Sequence, residues 1–234
     1  MTMKEVYPLQ KLITTYEEAR ELVQACGILP LAPSVPNHPS LSACTPPEAW
    51  HTGLASDPWN WRVRFPAAGD AAYGKFFRGK SVLIATDLFP LLRITAGRGG
   101  TVKERYRDGL LPREAVELYE VIAASGRIDT RELRSAAGMK AQASKAGFER
   151  GIHALQEAMD VVVTGANVRY KADGEPSGWS SVSYSTAEAW MNDSGREPEP
   201  EHVPLATARR MARERLEEAA SPEATAFFRK LYQL

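Results

Sequence analysis

Residues 112–159 read PREAVELYEVIAASGRIDTRELRSAAGMKAQASKAGFERGIHALQEAM, and the spacing of apolar residues in this stretch decides the fold. Pro112 opens a helix that carries Ala115, Leu118, Val121 and Ile122 on one face, and Gly126 ends it. Asp129 and Thr130 start a short second helix with Leu133 and Ala136 turned inward, stopping at Gly138. After a turn over 140–146, a third helix places Phe148, Ile152, Leu155 and Met159 along one stripe. The period then changes. Residues 161–170 are β-branched and extended, Asp173-Gly174 is a hairpin signal, and 179–184 returns as a second strand. Three helices followed by a hairpin predict a winged helix-turn-helix over 110–190.

Upstream, Thr14, Thr15, Glu17 and Glu18 form overlapping capping boxes ahead of Ala19, Leu22, Val23 and Cys26, with Gly27 as the stop. Residues 28–32 suit a short strand. Pro33, Pro36, Pro39, Pro46 and Pro47 mark a long connecting loop, and Asp57-Pro58 begins a helix holding Trp59 and Trp61. Residues 73–85 read as extended, ending in the buried-strand candidate 81–85, and Thr86 with Asp87 caps a short helix through Leu92. Gly97, Gly99, Gly100 and Gly109 among basic residues make 93–109 the expected linker. After a Pro/Glu spacer at 197–201, Leu205, Ala208, Ala212, Leu216 and Ala219 describe one face of a long helix, and a last helix follows Pro222. The expected architecture is α+β: tandem winged-helix-like units with small β-hairpins and a C-terminal helical tail, divided at 1–109, 110–190 and 191–234. No internal repeat shows as a fixed sequence period.

A chain of 234 residues at 44% hydrophobic and 25% charged composition folds without disulfide or metal staples. Cys26 and Cys44 lack metal-ligand spacing, so no metal or other cofactor is expected, and the setting should be reducing and cytoplasmic. The longest apolar runs are strand-sized, so no membrane partner is expected. The net charge of zero hides an asymmetry: residues 62–113 hold eleven Lys and Arg against four acids, net +7, leaving −7 elsewhere.

In a helix-turn-helix the third helix turns polar side chains outward near its N-terminus. Helical geometry sets Arg150, His153 and Glu157 opposite Phe148, Ile152 and Leu155. Lys140, Gln142, Ser144 and Lys145 precede that helix, where they could meet phosphate, and Arg169 and Lys171 add charge in the wing. Lys75, Arg78 and Lys80 stand among Tyr73, Phe76 and Phe77 and could follow a nucleic-acid backbone. Core packing explains Trp59, Trp61, Phe76 and Phe77 more cheaply than base stacking. The four histidines are scattered, no hydrolase or phosphate-loop motif occurs, and Glu48, Asp57 and Asp70 read first as surface or capping residues.

The order of these pieces, with Tyr73-Gly-Lys-Phe-Phe, Gly147-Phe148 opening a helix, and Tyr184-Ser-Thr after the wing, resembles the AlkZ-related proteins over about 14–190. These are similar to AlkZ-type winged-helix DNA glycosylases. The resemblance implies tandem winged helices that wrap DNA, and in the glycosylases a Gln-x-Gln or Gln-x-Asp motif on the strand after the first helix to position the attacking water. Here that stretch is Ile28-Leu-Pro-Leu, with Leu29 and Leu31 where polar residues would be needed. The leading expectation is therefore a DNA-binding protein without the glycosylase motif, partnered by duplex or damaged DNA. A base-excising hydrolase and a protein-interaction winged helix stand beside it as alternatives.

Overall fold

The computed structural model describes residues 12–97, 100–167, 181–194 and 203–234. The first half contains α1 (Tyr16–Cys26), β1 (Ile28–Pro30), α2 (Leu41–Cys44), α3 (Pro58–Ala67), β2 (Ala71–Phe77) and β3 (Lys80–Ala85). Two helices follow, α4 (Phe89–Ala96) and α5 (Val102–Arg107). The second half contains α6 (Arg113–Ser125), β4 (Arg127–Asp129), α7 (Thr130–Ala136), α8 (Lys145–Glu157), β5 (Val161–Asn167) and β6 (Ser181–Thr186). The chain closes with α9 (Ala187–Asp193), α10 (Leu205–Ala219) and α11 (Pro222–Tyr232). The strands form two antiparallel sheets, ordered β1-β3-β2 and β4-β6-β5. Both halves thus repeat one order, helix–strand–helix–helix–hairpin, with the last strand central in each sheet. The fold is α+β with winged-helix-like order occurring twice.

Local chemistry accounts for the element ends. Thr15 accepts from Glu18 N and Glu18 reaches back to the cap, so the first turn of α1 keeps few orphan donors. The segment expected to be a linker is mostly helical instead. Glycine content suggested an open chain there, but Thr101 and Glu104 form a second capping box that starts α5. Arg105 on that helix is buried against Asp160. In α7, Leu133 is buried as expected, whereas Ala136 is exposed and Met139 fills the inward position.

The two halves interlock reciprocally. Helix α3 packs on β5, α8 packs on β2, and β2 lies beside β5, so the third helix of each half covers a hairpin strand of the other. One apolar cluster consequently runs from Trp61, Phe65 and Tyr73 into Ile152, Leu155, Val163 and Tyr184. A second, on the opposite faces of the sheets, takes in Phe76, Phe89 and Trp190 and is closed by Leu216 and Phe228 of the tail helices. The tail therefore docks on its own chain, where Arg215 bonds Asp87 (2.7 Å) and the Gln24 carbonyl.

Helices α6 and α8 cross closely because α8 carries Gly147 and Gly151. A Cβ on Gly151 would lie 2.9 Å from the Glu114 backbone and 2.9 Å from Leu118 Cδ1. Gly151→Ala gains about 1 kcal/mol of helix propensity, yet overpacking costs about 1–3 kcal/mol. Net destabilisation is expected because the contact is to backbone, and a raised melting temperature would refute the close-packing argument.

His38, in the proline-rich loop, packs edge-on against Phe228 with ring centroids 5.1 Å apart and sets Nε2 against the Ile28 carbonyl. Its Nδ1 is buried without a partner. Burial lowers the His38 pKa, outweighing the carbonyl that favours the charged ring. The unfolded chain therefore takes the proton first. The stability carried by the neutral ring is complete above its unfolded pKa of about 6.5 and lost as pH falls from there towards the folded value. Urea midpoints should drop between about pH 7.5 and about pH 5.5, and His38→Gln should flatten that part of the profile.

Candidate nucleic-acid interface

The β2–β3 hairpin turns through Arg78 and Gly79, both at positive φ (46° and 69°), as the favoured two-residue hairpin turns require. This geometry puts Lys75, Arg78 and Lys80 on one short ribbon, with Lys75 half-buried and the other two exposed. Helix α8 crosses the ribbon. Lys75 Nζ lies 3.3 Å from His153 Nε2, Lys75 N donates to Gln156 Oε1 (2.9 Å), and Gly79 N donates to Glu157 Oε1 (3.2 Å). Two candidate residues far apart in sequence, Lys75 and His153, thus meet at the junction of the halves. Beside them opens a cavity of about 250 Å³ reached by Tyr73, Gln156 and Tyr184.

Lys140 and Lys145 lie at the other end of α8, exposed, with Lys145 its first residue. Lys145 is 3.9 Å from Glu149, and Arg150 pairs with Glu114 of α6. Ser144 makes no capping hydrogen bond to α8, and a 3-10 turn over Gln142–Ser144 leads into the helix, with Lys145 N donating to the Gln142 carbonyl. The hairpin lies against the C-terminal half of α8, while Lys145, Ala146, Glu149 and Arg150 of the N-terminal turns are exposed. Arg169 lies outside the described residues, as does the expected turn at Asp173-Gly174.

Half of the described cations of the basic stretch are paired in space with acids from outside it. Lys103 pairs with Glu120 (2.8 Å), Arg105 with Asp160 (2.6 Å), Arg93 with Glu188 (2.5 Å), Arg113 with Glu117 (2.8 Å) and Arg64 with Glu17 (3.6 Å). Arg62 stacks its guanidinium 3.5 Å from the centre of the Trp59 ring, which occupies a face that a base would need. Trp61, Phe76 and Phe77 are buried in the two clusters. Apart from the stacked Arg62, the cations that remain outside ion pairs among the described residues of the stretch are Lys75, Arg78, Lys80 and Arg107, and three of these four are on the hairpin.

With the interlocked halves and the packed tail in view, the whole chain can be compared with known proteins. A family model described as AlkZ related matches residues 13–233. The chain belongs to the AlkZ-related family. No curated protein and no solved structure matches it. The AlkZ-related match takes in α10 and α11, so the family's extent includes the tail that closes the second cluster. Leu29 and Leu31, which the sequence resemblance set against the glycosylase motif, are 0% and 8% exposed and belong to the first cluster. Among the described residues no three His, Cys, Asp or Glu side chains converge as a metal ion would require, and no helix is long and apolar enough to cross a membrane.

Sequence reading did not single out Gln156 or Glu114. Gln156 is 3% exposed and falls one turn after Ile152, a polar residue on an otherwise apolar face of α8, and that break in the stripe was its signal. Glu114 carried none, because only the α6–α8 crossing makes it the partner of Arg150.

Proposed function

We propose that this AlkZ-related protein binds duplex DNA, damaged duplex included, through the β2–β3 hairpin and the N-terminal turns of α8. Family membership supports a DNA-repair-associated role. The observation that carries the reading is the clustering of unpaired charge: acids pair with five of the ten described cations of the basic stretch, yet Lys75, Arg78 and Lys80 stay outside ion pairs together on one ribbon. Lys145 and Lys140, exposed at the N-terminal end of α8, offer a second set of donors along the same helix. Backbone contacts of this type position a protein on DNA without reading sequence.

Each phosphate neutralised releases counterions, so log affinity falls with log salt with a slope of about −0.9 per phosphate. Affinity for a short duplex should therefore drop steeply between about 50 and about 200 mM salt. Arg78→Ala with Lys80→Ala should flatten the slope by about 1 for each cation removed from the interface. Both side chains are exposed, so the melting temperature should hardly change. Binding that ignores salt, or a double variant with an unaltered slope, would remove the hairpin from the interface.

A further inference from the structure

We infer that Lys75 and His153 form an amine–imidazole pair that condenses with the ring-opened aldehyde of an abasic deoxyribose in DNA. The inference rests on the DNA-binding reading and assigns a reaction to the junction between the halves. Lysine on a surface ordinarily faces water or a carboxylate. Among the described residues no carboxylate lies within ion-pair distance of Lys75 Nζ, and its partner is the His153 ring at 3.3 Å. The nearest acid on α8, Glu157, is engaged by Gly79 N. Imidazole Nε2 accepts a hydrogen bond from the amine and can take its proton when the lone pair is needed, the arrangement by which an adjacent base activates a nucleophile.

The pair is held from both sides. Lys75 N is fixed to Gln156 Oε1, and Gln156 Nε2 donates to the Ile152 carbonyl (3.4 Å), so strand and helix keep the amine and the ring in register. The adjoining cavity, about 250 Å³, is smaller than the roughly 300–1,000 Å³ of ordinary ligand pockets. It suits a group the size of a sugar lacking its base. Tyr73, Ser81 and Tyr184 are among its lining residues, and Arg78 and Lys80 stand on the same ribbon to meet flanking phosphates.

In the reaction, His153 takes one proton from the Lys75 ammonium and the freed lone pair attacks C1′. The aldehyde oxygen becomes a hydroxyl, which leaves as water as the C=N bond forms. Ammonium and aldehyde thus give a protonated imine and one water, with no net change in protons.

The test uses the full chain with duplex DNA containing one abasic site, at protein concentrations that saturate the DNA, and sodium cyanoborohydride to reduce the imine to a stable amine. Wild type is expected to yield a covalent adduct whose tryptic peptide carries the sugar on Lys75. Lys75→Arg should abolish the adduct, and His153→Gln should slow its formation about 100-fold, with circular dichroism confirming that both variants are folded. An abasic duplex that binds without forming an adduct overturns this inference and leaves the DNA-binding reading in place. The inference also falls if the adduct maps to another lysine, survives Lys75→Arg, or forms at an unchanged rate in His153→Gln. Failure to retain either intact or abasic duplex overturns both.

Discussion

Asp160→Ala is expected to destabilise the protein by about 3–5 kcal/mol, the range for breaking a buried ion pair from one side. Arg105 and Asp160 side chains are each 6% exposed, and a single 2.6 Å bond joins Nη2 to Oδ1. Arg105 also donates from Nε to the Gly100 carbonyl, which holds the start of α5. Its Nη1 and the Oδ2 of Asp160 are buried without partners, so the pair is already incompletely satisfied. Losing the carboxylate would leave a guanidinium in the interior with no compensating charge, and α5 would lose its buried ion pair to the second half, keeping the exposed Lys103–Glu120 pair. Burial pushes the Asp160 carboxyl above the usual carboxylate range more than Arg105 draws it down. The folded state therefore keeps that proton longer than the unfolded chain does. The corresponding stability is full below the unfolded pKa and lost as pH rises through the folded one, so ionising the buried carboxyl costs stability. A joint change to Arg105→Met and Asp160→Leu should consequently recover most of the loss, as replacement of such pairs by apolar side chains commonly does. Urea denaturation of the two single variants and the double variant forms the required cycle. A single-variant loss below about 1 kcal/mol would mean that water reaches the pair.

That ion pair also shows where sequence reading ends. The opposed charges of 62–113 and the remainder were visible as composition, but which Arg meets which acid depends on how the halves interlock, and Arg105 and Asp160 are 55 residues apart. Elements with local signals were legible: the capping box at Thr15, the stop at Gly27, Phe148, Ile152 and Leu155 on α8 and the tail face of Ala208, Ala212, Leu216 and Ala219 lie where the residues put them, whereas Met159, expected on the α8 stripe, follows the helix at positive φ and packs in the second cluster. The repeated order of elements was not legible as a repeat. In the first half the second helix is a single turn, Leu41–Cys44, and a proline-rich loop separates it from α3, so no sequence period survives. The candidate site divides in the same way. Local charge identified Lys75, Arg78 and Lys80, and helical geometry identified His153, but their meeting depends on α8 crossing β2.

The wild-type protein is expected to release no free base from alkylated or crosslinked duplex DNA above the spontaneous background, even under single-turnover conditions that saturate binding. Hydrolysis of a glycosidic bond needs a positioned, polarised water and stabilisation of the developing oxocarbenium charge. Leu29 and Leu31, which the sequence resemblance set against the glycosylase motif, are packed in the first cluster with aliphatic side chains that can do neither. Nearby polar groups are committed elsewhere. Gln24 donates through Nε2 to the Asp70 carbonyl (2.8 Å), and Asp70 accepts from Tyr16 OH (2.7 Å). Asp57, a conceivable general base from sequence alone, is 1% exposed and accepts from the backbone N–H groups of His51, Gly53 and Trp59. Its carboxylate caps α3 and orders the preceding loop, which is a structural commitment. Installing Gln at position 29 should not create the activity either. A buried amide without partners costs about 1–3 kcal/mol, so Leu29→Gln should lower the denaturation midpoint while base release stays at background. Chromatographic detection of free base from the wild-type chain in amounts stoichiometric with the protein would sink this reading. Exposed Glu48, which the described residues leave without an ion pair, would then be the first carboxylate to replace.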